Sequence, residues 1–155
     1  MGSISKSLTD LSRAPAQKAS DPAFKVKLDF NRWHDTGELY ADMKRLQAAF
    51  PKFLKLESIG KSFRGRDLML MTINNPATGP ETDKAAMYIE ANIHGNEIQG
   101  GEVCLYTIWY LMENYGRIDG VTRLVDERVF YRTPLTSHAS KKKITKRMMS
   151  WEAWG

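Results

Sequence analysis

The sequence is poor in cysteine, because its 155 residues include only one, Cys104. One thiol excludes an internal disulfide and a cysteine-based metal site. Cys104 lies in an apolar segment, which favours a buried core thiol over a nucleophile. A disulfide-stapled scaffold and a thiol enzyme are therefore not expected.

Long hydrophobic runs are also missing. No uninterrupted apolar segment reaches the roughly 18 residues that a membrane span requires, and residues 1–13 lack the continuous apolar core of a secretory signal. The sequence predicts no membrane span, and as written the chain is expected to stay in the cytoplasm. Residues 1–23 mix Ser, Lys, Ala, Asp and two prolines without periodicity, which predicts a mobile leader.

Excess charge of one sign is confined to one end of the chain. The net charge is +5, but six of the 23 basic residues and one of the 18 acidic residues lie in residues 132–155, which leaves 17 of each sign in residues 1–131. A basic surface that recognises nucleic acid needs clustered positive charge on the folded body. The neutral body therefore predicts no nucleic-acid partner.

A hydrophobic content of 42% is present and suffices for one globular domain with a core. The alternation in Phe24–Phe30 predicts a half-buried strand. Asp35, with a glutamate three positions on, predicts a capped helix that closes at Pro51. Strand-like segments over 53–59 and 67–73, joined by a loop with two glycines, predict a hairpin.

The stretch from Ala85 to Gly101 organises the rest of the chain. A mostly apolar run over 85–93 predicts a strand, His94-Gly-Asn-Glu97 a tight loop, and residues 101–114 a buried helix. A short helix over 121–126 and a strand over 128–132 follow. Strand, helix and strand in that order predict a parallel pair, so the fold class is α/β, with a mixed β-sheet flanked by helices.

His94 and Glu97 are the candidate metal ligands. An imidazole and a carboxylate three residues apart in a loop suit a zinc ion. A loop histidine beside a solvated glutamate is the alternative, because four-residue patterns recur freely. His34 precedes the first helix and has no partner motif nearby, so we expect it to be a surface or pre-cap residue and not a ligand.

Several motifs in order carry a family resemblance. They are the first helix followed by Phe50-Pro51, the pattern Gly60-x-Ser62-x-x-Gly65-Arg66, the strand leading into Ile93-His94-Gly95-Asn96-Glu97, and Tyr131 near the end of a strand. With them, residues 33–133 resemble the N-terminal part of a zinc carboxypeptidase catalytic domain. The resemblance implies that residues 24–133 are a partial domain of this kind.

The resemblance implies a metallocarboxypeptidase that removes residues from the C-termini of peptides and proteins. His94 and Glu97 match the first two zinc ligands of such enzymes, which are completed by a second histidine far downstream and a water molecule. A three-ligand zinc keeps a position free to acidify water and polarise a carbonyl. The family's glutamate base and substrate-binding arginines have no counterpart here, so no catalytic residue is assigned.

The sequence departs from the family pattern after Thr133, where a segment of the type Asn-Pro-Asp-Gly is expected. The second zinc-binding histidine would lie beyond Gly155, and His138, the only later histidine, falls in the divergent tail. We therefore expect a truncated chain that binds Zn²⁺ weakly and is inactive alone. Substrate side-chain preference is set by residues that the resemblance places outside this sequence.

The basic tail, residues 134–155, allows two interpretations. Ile144, Met148 and Trp151 fall at helical spacing, as in a short basic amphipathic helix. An out-of-frame or truncated reading would instead leave residues that were never selected to fold, and a disordered tail is the favoured expectation. Two further hypotheses follow for the chain: a non-catalytic binding module whose tail contacts an acidic partner, and a half-domain that folds with a missing C-terminal half.

Overall fold

A computed structural model describes residues 23–136, so the predicted leader, apart from its last residue, and residues 137–155 of the predicted tail lie outside the description. The regular elements are α1 (Thr36–Ala49), β1 (Leu54–Lys61), β2 (Asp67–Ile73), β3 (Ala85–Glu90), α2 (Ile98–Asn114), α3 (Asp119–Glu127) and β4 (Arg128–Thr133). Two single 3₁₀ turns connect β2 to β3. Within 23–136, no helix is long and apolar enough to cross a membrane.

The strands form a mixed sheet in the order β1-β2-β4-β3. β1 pairs with β2 and β2 with β4 in antiparallel fashion, whereas β3 and β4 are parallel. A parallel pair requires a crossover connection, and α2 and α3 lie in the connection from β3 to β4. The predicted α/β class, the hairpin and the parallel pair are confirmed.

The start of α1 follows from its sequence. Asp35 Oδ1 accepts a hydrogen bond from the Glu38 amide at 2.9 Å, and Glu38 Oε2 accepts one from the Asp35 amide at 2.8 Å. This reciprocal pair satisfies two amides that the helix itself leaves without acceptors, and it confirms the predicted cap. The helix then buries one side, formed by Leu39, Met43 and Leu46.

The core lies where α1 and α2 pack on the sheet. α2 is 17 residues long and begins at Ile98, three residues before the predicted start. Cys104 is buried, as expected. The fully buried core side chains include Leu39, Met43, Leu46, Met71, Ile73, Ile98, Leu105, Ile108, Val125 and Leu135.

The predicted strand over Phe24–Phe30 is wrong, because this segment pairs with no strand. Its backbone instead contacts side chains of α2. The amides of Lys25 and Val26 donate to the Glu113 carboxylate at 2.9 and 2.7 Å, and the Val26 carbonyl accepts from Trp109 Nε1 at 2.8 Å. The alternation of polar and apolar residues matches the alternating burial of these side chains, but it does not require pairing with a strand.

His34 directly precedes the N-cap residue Asp35, in agreement with the pre-cap alternative, but it is not a surface residue. Its side chain is 0% exposed, between α1 and α2. The Nδ1 atom lies 2.6 Å from Glu102 Oε2, and the Nε2 atom lies 3.2 Å from Asp42 Oδ2. Two carboxylates compensate the polar ring for its removal from water, so His34 belongs to the buried framework.

The two edges of the sheet differ in chemistry. β1 carries Lys55 and Lys61 and an irregular register between Ser58 and Lys61, which are common protections of a natural edge strand. β3, of sequence AAMYIE, has no lysine, proline or bulge among its residues. Its side chains stand in solvent, with Met87 50% and Tyr88 54% exposed. β3 therefore has the composition of an interior strand at an edge of the described sheet.

Candidate metal site

A tight turn brings His94 and Glu97 together directly after β3. The Glu97 amide donates to the His94 carbonyl at 3.1 Å, which closes a four-residue turn with Gly95 and Asn96 at its centre. Neither of these central residues has a positive φ, so the turn uses ordinary backbone angles. Glu97 then becomes the N-cap residue of α2.

The two side chains face each other across this turn. His94 Nδ1 lies 2.9 Å from Glu97 Oε1, and the His94 amide donates to Glu97 Oε2 at 3.1 Å. The hydrogen bonds from the His94 ring and backbone lower the pKa of the Glu97 carboxyl. Both side chains are open to solvent, with 74% of the His94 and 48% of the Glu97 side chain exposed. An ion can reach this pair without unfolding the loop.

The donor atoms fit zinc in kind but not in number. An imidazole nitrogen and a carboxylate oxygen are both ordinary Zn²⁺ ligands, and a catalytic zinc takes three protein ligands. Across residues 23–136, no group of three or more His, Cys, Asp or Glu side chains is placed to hold a metal ion. The described residues therefore offer two of the ligands of such a centre.

Two residues that support the turn were missed by the sequence analysis. Asn92 has a backbone φ of 57°, in the left-handed region, and its Oδ1 accepts from the Gly101 amide at 2.9 Å. Gly100 lies against the strand end, since a Cβ there would stand 2.9 Å from the Ala91 Cβ. The available signals were an asparagine at a strand end and two glycines in the first helical turn, both unusual for regular elements.

The other motif residues lie elsewhere. Ser62, Gly65 and Arg66 close the β1–β2 hairpin, where the Ser62 amide donates to the Arg66 carbonyl at 2.8 Å and Gly65 has a φ of 74°. Tyr131 is on β4, opposite Tyr88 of β3, and burial raises its pKa. His138 lies outside the described residues. Of the predicted site residues, the structure brings together His94 and Glu97.

The described chain is a mixed α/β sheet with flanking helices that presents an imidazole and a carboxylate together at a strand end. The zinc carboxypeptidase family model matches residues 39–137. The match covers the core, both sheet edges and the His94–Glu97 turn. The chain belongs to the zinc carboxypeptidase family, as the resemblance predicted.

Relatives and a solved structure agree with this assignment. The chain is 33% identical over 116 residues to carboxypeptidase D of Drosophila melanogaster, covering 69% of this chain and 8% of the relative. It is 30% identical over 109 residues to an inactive metallocarboxypeptidase of Saccharomyces cerevisiae, covering 68% of this chain and 25% of that protein. The carboxypeptidase A structure from Helicoverpa armigera matches with a TM-score of 0.65 and 19% identity, covering 80% of this chain and 29% of the other.

The chain thus spans less than a third of the length of each of these three proteins. At 19% identity the structural match shows the fold alone. The matched portion contains the His94–Glu97 turn, but most of each relative has no counterpart in the matched residues.

Proposed function

We propose that this chain contributes two zinc ligands, His94 and Glu97, to a metallocarboxypeptidase-type peptidase that acts on peptide or protein C-termini. The observation that carries the proposal is the 2.9 Å approach of His94 Nδ1 to Glu97 Oε1 in an exposed turn at the end of β3. Family membership supports the reaction type, and the exposure of the pair supports access by an ion and a substrate.

The chain's own groups would prepare the site for the ion. His94 Nδ1 and Glu97 Oε1 lie at hydrogen-bond distance, and each atom must be free of a hydrogen to bind a metal ion. Because protons compete with zinc for such ligand atoms, the affinity is expected to fall at low pH. When bound in a site with an open position, zinc lowers the pKa of a coordinated water and polarises a carbonyl.

The site is incomplete within residues 23–136, because the described residues supply two protein ligands and no identified general base. We therefore expect negligible hydrolysis by this chain alone. Further polypeptide of the family domain would add beside β3, where the exposed Met87 and Tyr88 and the absence of edge protection in AAMYIE support a missing neighbour. Such a neighbour would also lie next to the His94–Glu97 turn.

Zinc titration of the purified chain tests the ligand assignment. Isothermal titration should show weak binding to the wild type, reduced by roughly tenfold or more in His94→Ala and Glu97→Gln, since even outer-shell partners of a metal are worth this much. Glu90→Gln is the matched control, because Glu90 is an exposed glutamate of the same strand and loop region. His138→Ala tests the one histidine that follows Glu97 in the sequence and is expected to leave the affinity unchanged.

Release of C-terminal residues from a panel of peptides tests the activity. The chain alone should release none above background at saturating zinc. Tight stoichiometric zinc with turnover would contradict the proposed incompleteness, and unchanged zinc affinity in both ligand variants would contradict the proposed ligands. Salt-sensitive binding to an acidic partner, lost on deletion of residues 137–155, which spares the buried Leu135, would instead favour the non-catalytic module.

A further inference from the structure

One edge of β3 pairs with no strand among residues 23–136, because β3 is the last strand in the order β1-β2-β4-β3. On its other edge, the Ala91 amide donates to the Thr133 carbonyl at 3.0 Å, and the Ala91 carbonyl accepts from the Thr136 amide at 3.1 Å. Odd-numbered residues therefore direct their backbone groups toward β4. Because this direction alternates along a strand, the even-numbered residues, such as Ala86 and Tyr88, direct theirs to the open edge.

The side chains at this edge are open to solvent on both faces of the sheet. Met87 is 50% and Tyr88 54% exposed, and successive side chains of a strand point to opposite faces. Met87 lies opposite the buried Phe130 of β4, so it extends the core face, whereas Tyr88 lies opposite Tyr131 on the other face. The edge thus combines unpaired backbone groups with apolar surface, which together favour pairing with a further strand.

The sequence of β3 suits an antiparallel pair with a second copy of itself. In an antiparallel ladder, residues that direct their backbone groups to the partner face each other, so an even-numbered residue must face an even-numbered one. A ladder centred on Met87 meets this condition. Its pairs are Ala86 with Tyr88, Ala85 with Ile89, and Lys84 with Glu90.

These pairs are complementary in size and in charge. Each large side chain faces an alanine, and residues of opposite charge face each other at the ends of the ladder. Because Lys84 Nζ donates to Asn74 Oδ1 at 2.8 Å, the ends gain from opposite charge without a direct ion pair. A ladder centred on Ala86 or Tyr88 would instead place two alanines or two tyrosines at its centre and would separate Lys84 from Glu90.

We propose that β3 is a homodimer interface, in which two copies of the chain pair antiparallel about a two-fold axis at Met87. The axis closes the assembly, because each copy covers the open edge of the other. The joined sheet then ends in the two β1 strands, whose lysines and irregular register oppose further growth. The second copy takes the place proposed above for further polypeptide of the domain, so the dimer and the completed domain exclude each other. The dimer does not depend on the zinc role of His94 and Glu97.

Sedimentation equilibrium of the full chain tests the interface and should show a concentration-dependent dimer. Met87→Lys should raise the dissociation constant about tenfold or more, because two like charges would face each other and buried apolar surface would be lost. Met87 is half exposed in the single chain, so the variant should keep the far-ultraviolet circular dichroism of the wild type. Phe63→Lys is the matched control. Phe63 is fully exposed in the turn between β1 and β2, on the opposite side of the sheet, and its replacement should leave the dissociation constant unchanged.

Cysteine cross-linking tests the register. Met87→Cys should give a disulfide-linked dimer on mild oxidation, because residues of a non-hydrogen-bonded antiparallel pair have Cα atoms about 4.5 Å apart, within the range of a disulfide. Tyr88→Cys is the matched control, since Tyr88 is equally exposed but would meet its counterpart as a diagonal neighbour about 7–8 Å away. It should cross-link little, and the wild type, whose Cys104 is buried, should not cross-link.

A chain that stays monomeric at all concentrations would overturn the proposal. So would a dimer whose dissociation constant is the same in Met87→Lys as in the wild type, because the contact would then lie elsewhere. Assemblies that grow beyond the dimer would contradict closure by a two-fold axis. Cross-linking through Tyr88→Cys and not through Met87→Cys would contradict the axis at Met87.

Discussion

Two histidines, His34 and His94, each contact a different glutamate of the α2 region. In both pairs the ring Nδ1 atom and the backbone amide of the histidine contact the two carboxylate oxygens. His34 Nδ1 lies 2.6 Å from Glu102 Oε2, and its amide donates to Oε1 at 2.8 Å. His94 Nδ1 lies 2.9 Å from Glu97 Oε1, and its amide donates to Oε2 at 3.1 Å. The surroundings differ, because the His34 side chain is 0% and the His94 side chain 74% exposed.

This difference in burial separates a structural role from a ligand role. The His34 ring has a carboxylate on each side, with Asp42 Oδ2 3.2 Å from Nε2 at an angle unsuited to a hydrogen bond, and Arg45 contacts Asp42 at 2.6 Å. Filling both sides of the ring leaves no open direction for an ion. The His94–Glu97 pair faces solvent, so a metal ion can replace the contact between the two side chains at little energetic cost.

The largest expected effect comes from breaking the buried pair. His34→Ala should lower the free energy of unfolding by about 3–5 kcal/mol, because it breaks a buried side-chain pair by removing the ring that contacts Glu102. His94→Ala should cost far less, because an exposed ion pair contributes little to stability. Urea unfolding of both variants measures the difference.

His34→Asn serves as the control for volume and packing in that experiment. Its amide nitrogen can replace Nδ1 toward Glu102, so part of the lost stability should return. Equal stability losses in His34→Ala and His94→Ala would show that burial does not separate the two pairs.

Local signals made the exposed pair predictable and left the buried pair hidden. His94 and Glu97 are joined by a four-residue turn, so their spacing alone brought them together. Glu102 is separated from His34 by 68 positions, and the sequence around His34 showed only the helix cap that follows it. The interpretation as a surface residue failed because the partner comes from a contact between two helices.

The other elements divide in the same way between local and long-range determinants. α1, the hairpin and the β3–β4 pair follow from periodicity and turn residues over a few positions. The segment Phe24–Phe30 has the alternation of a strand, but its amides bond to Glu113, 87 positions from Val26. The hydrogen bond from the Gly101 amide to Asn92 was not predictable from the sequence. Asn92 has a left-handed φ, and asparagine permits this conformation without requiring it.

Arg132 is a buried cation that differs from His34 in its surroundings. Arg132 on β4 is 3% exposed, and its Nε and Nη1 atoms have no hydrogen-bond partner within residues 23–136. Burial lowers its pKa. Arg132→Met should raise the free energy of unfolding by about 1 kcal/mol or more, since replacement of buried charge by apolar groups is often stabilising.

Arg128→Met, at the exposed start of the same strand, provides the reference in chemical denaturation and should change stability by less than about 0.5 kcal/mol. A clear loss of stability in Arg132→Met would mean that the Phe130 ring, whose centroid lies 5.5 Å from the Arg132 Cζ atom, compensates the buried charge.

The smallest expected effect concerns the exposed pair and pH. The His94 hydrogen bonds hold the Glu97 pKa below its ordinary value of 4.5, so His94→Ala should raise it toward that value in a ¹³C titration of the side-chain carboxyl. Because the folded-state pKa is the lower one, the stabilisation from this pair is present above 4.5 and is lost as the pH falls through the folded-state value. An unchanged Glu97 pKa in His94→Ala would show that the carboxylate is held by groups other than the histidine, and the likeness between the two pairs would then end at their geometry.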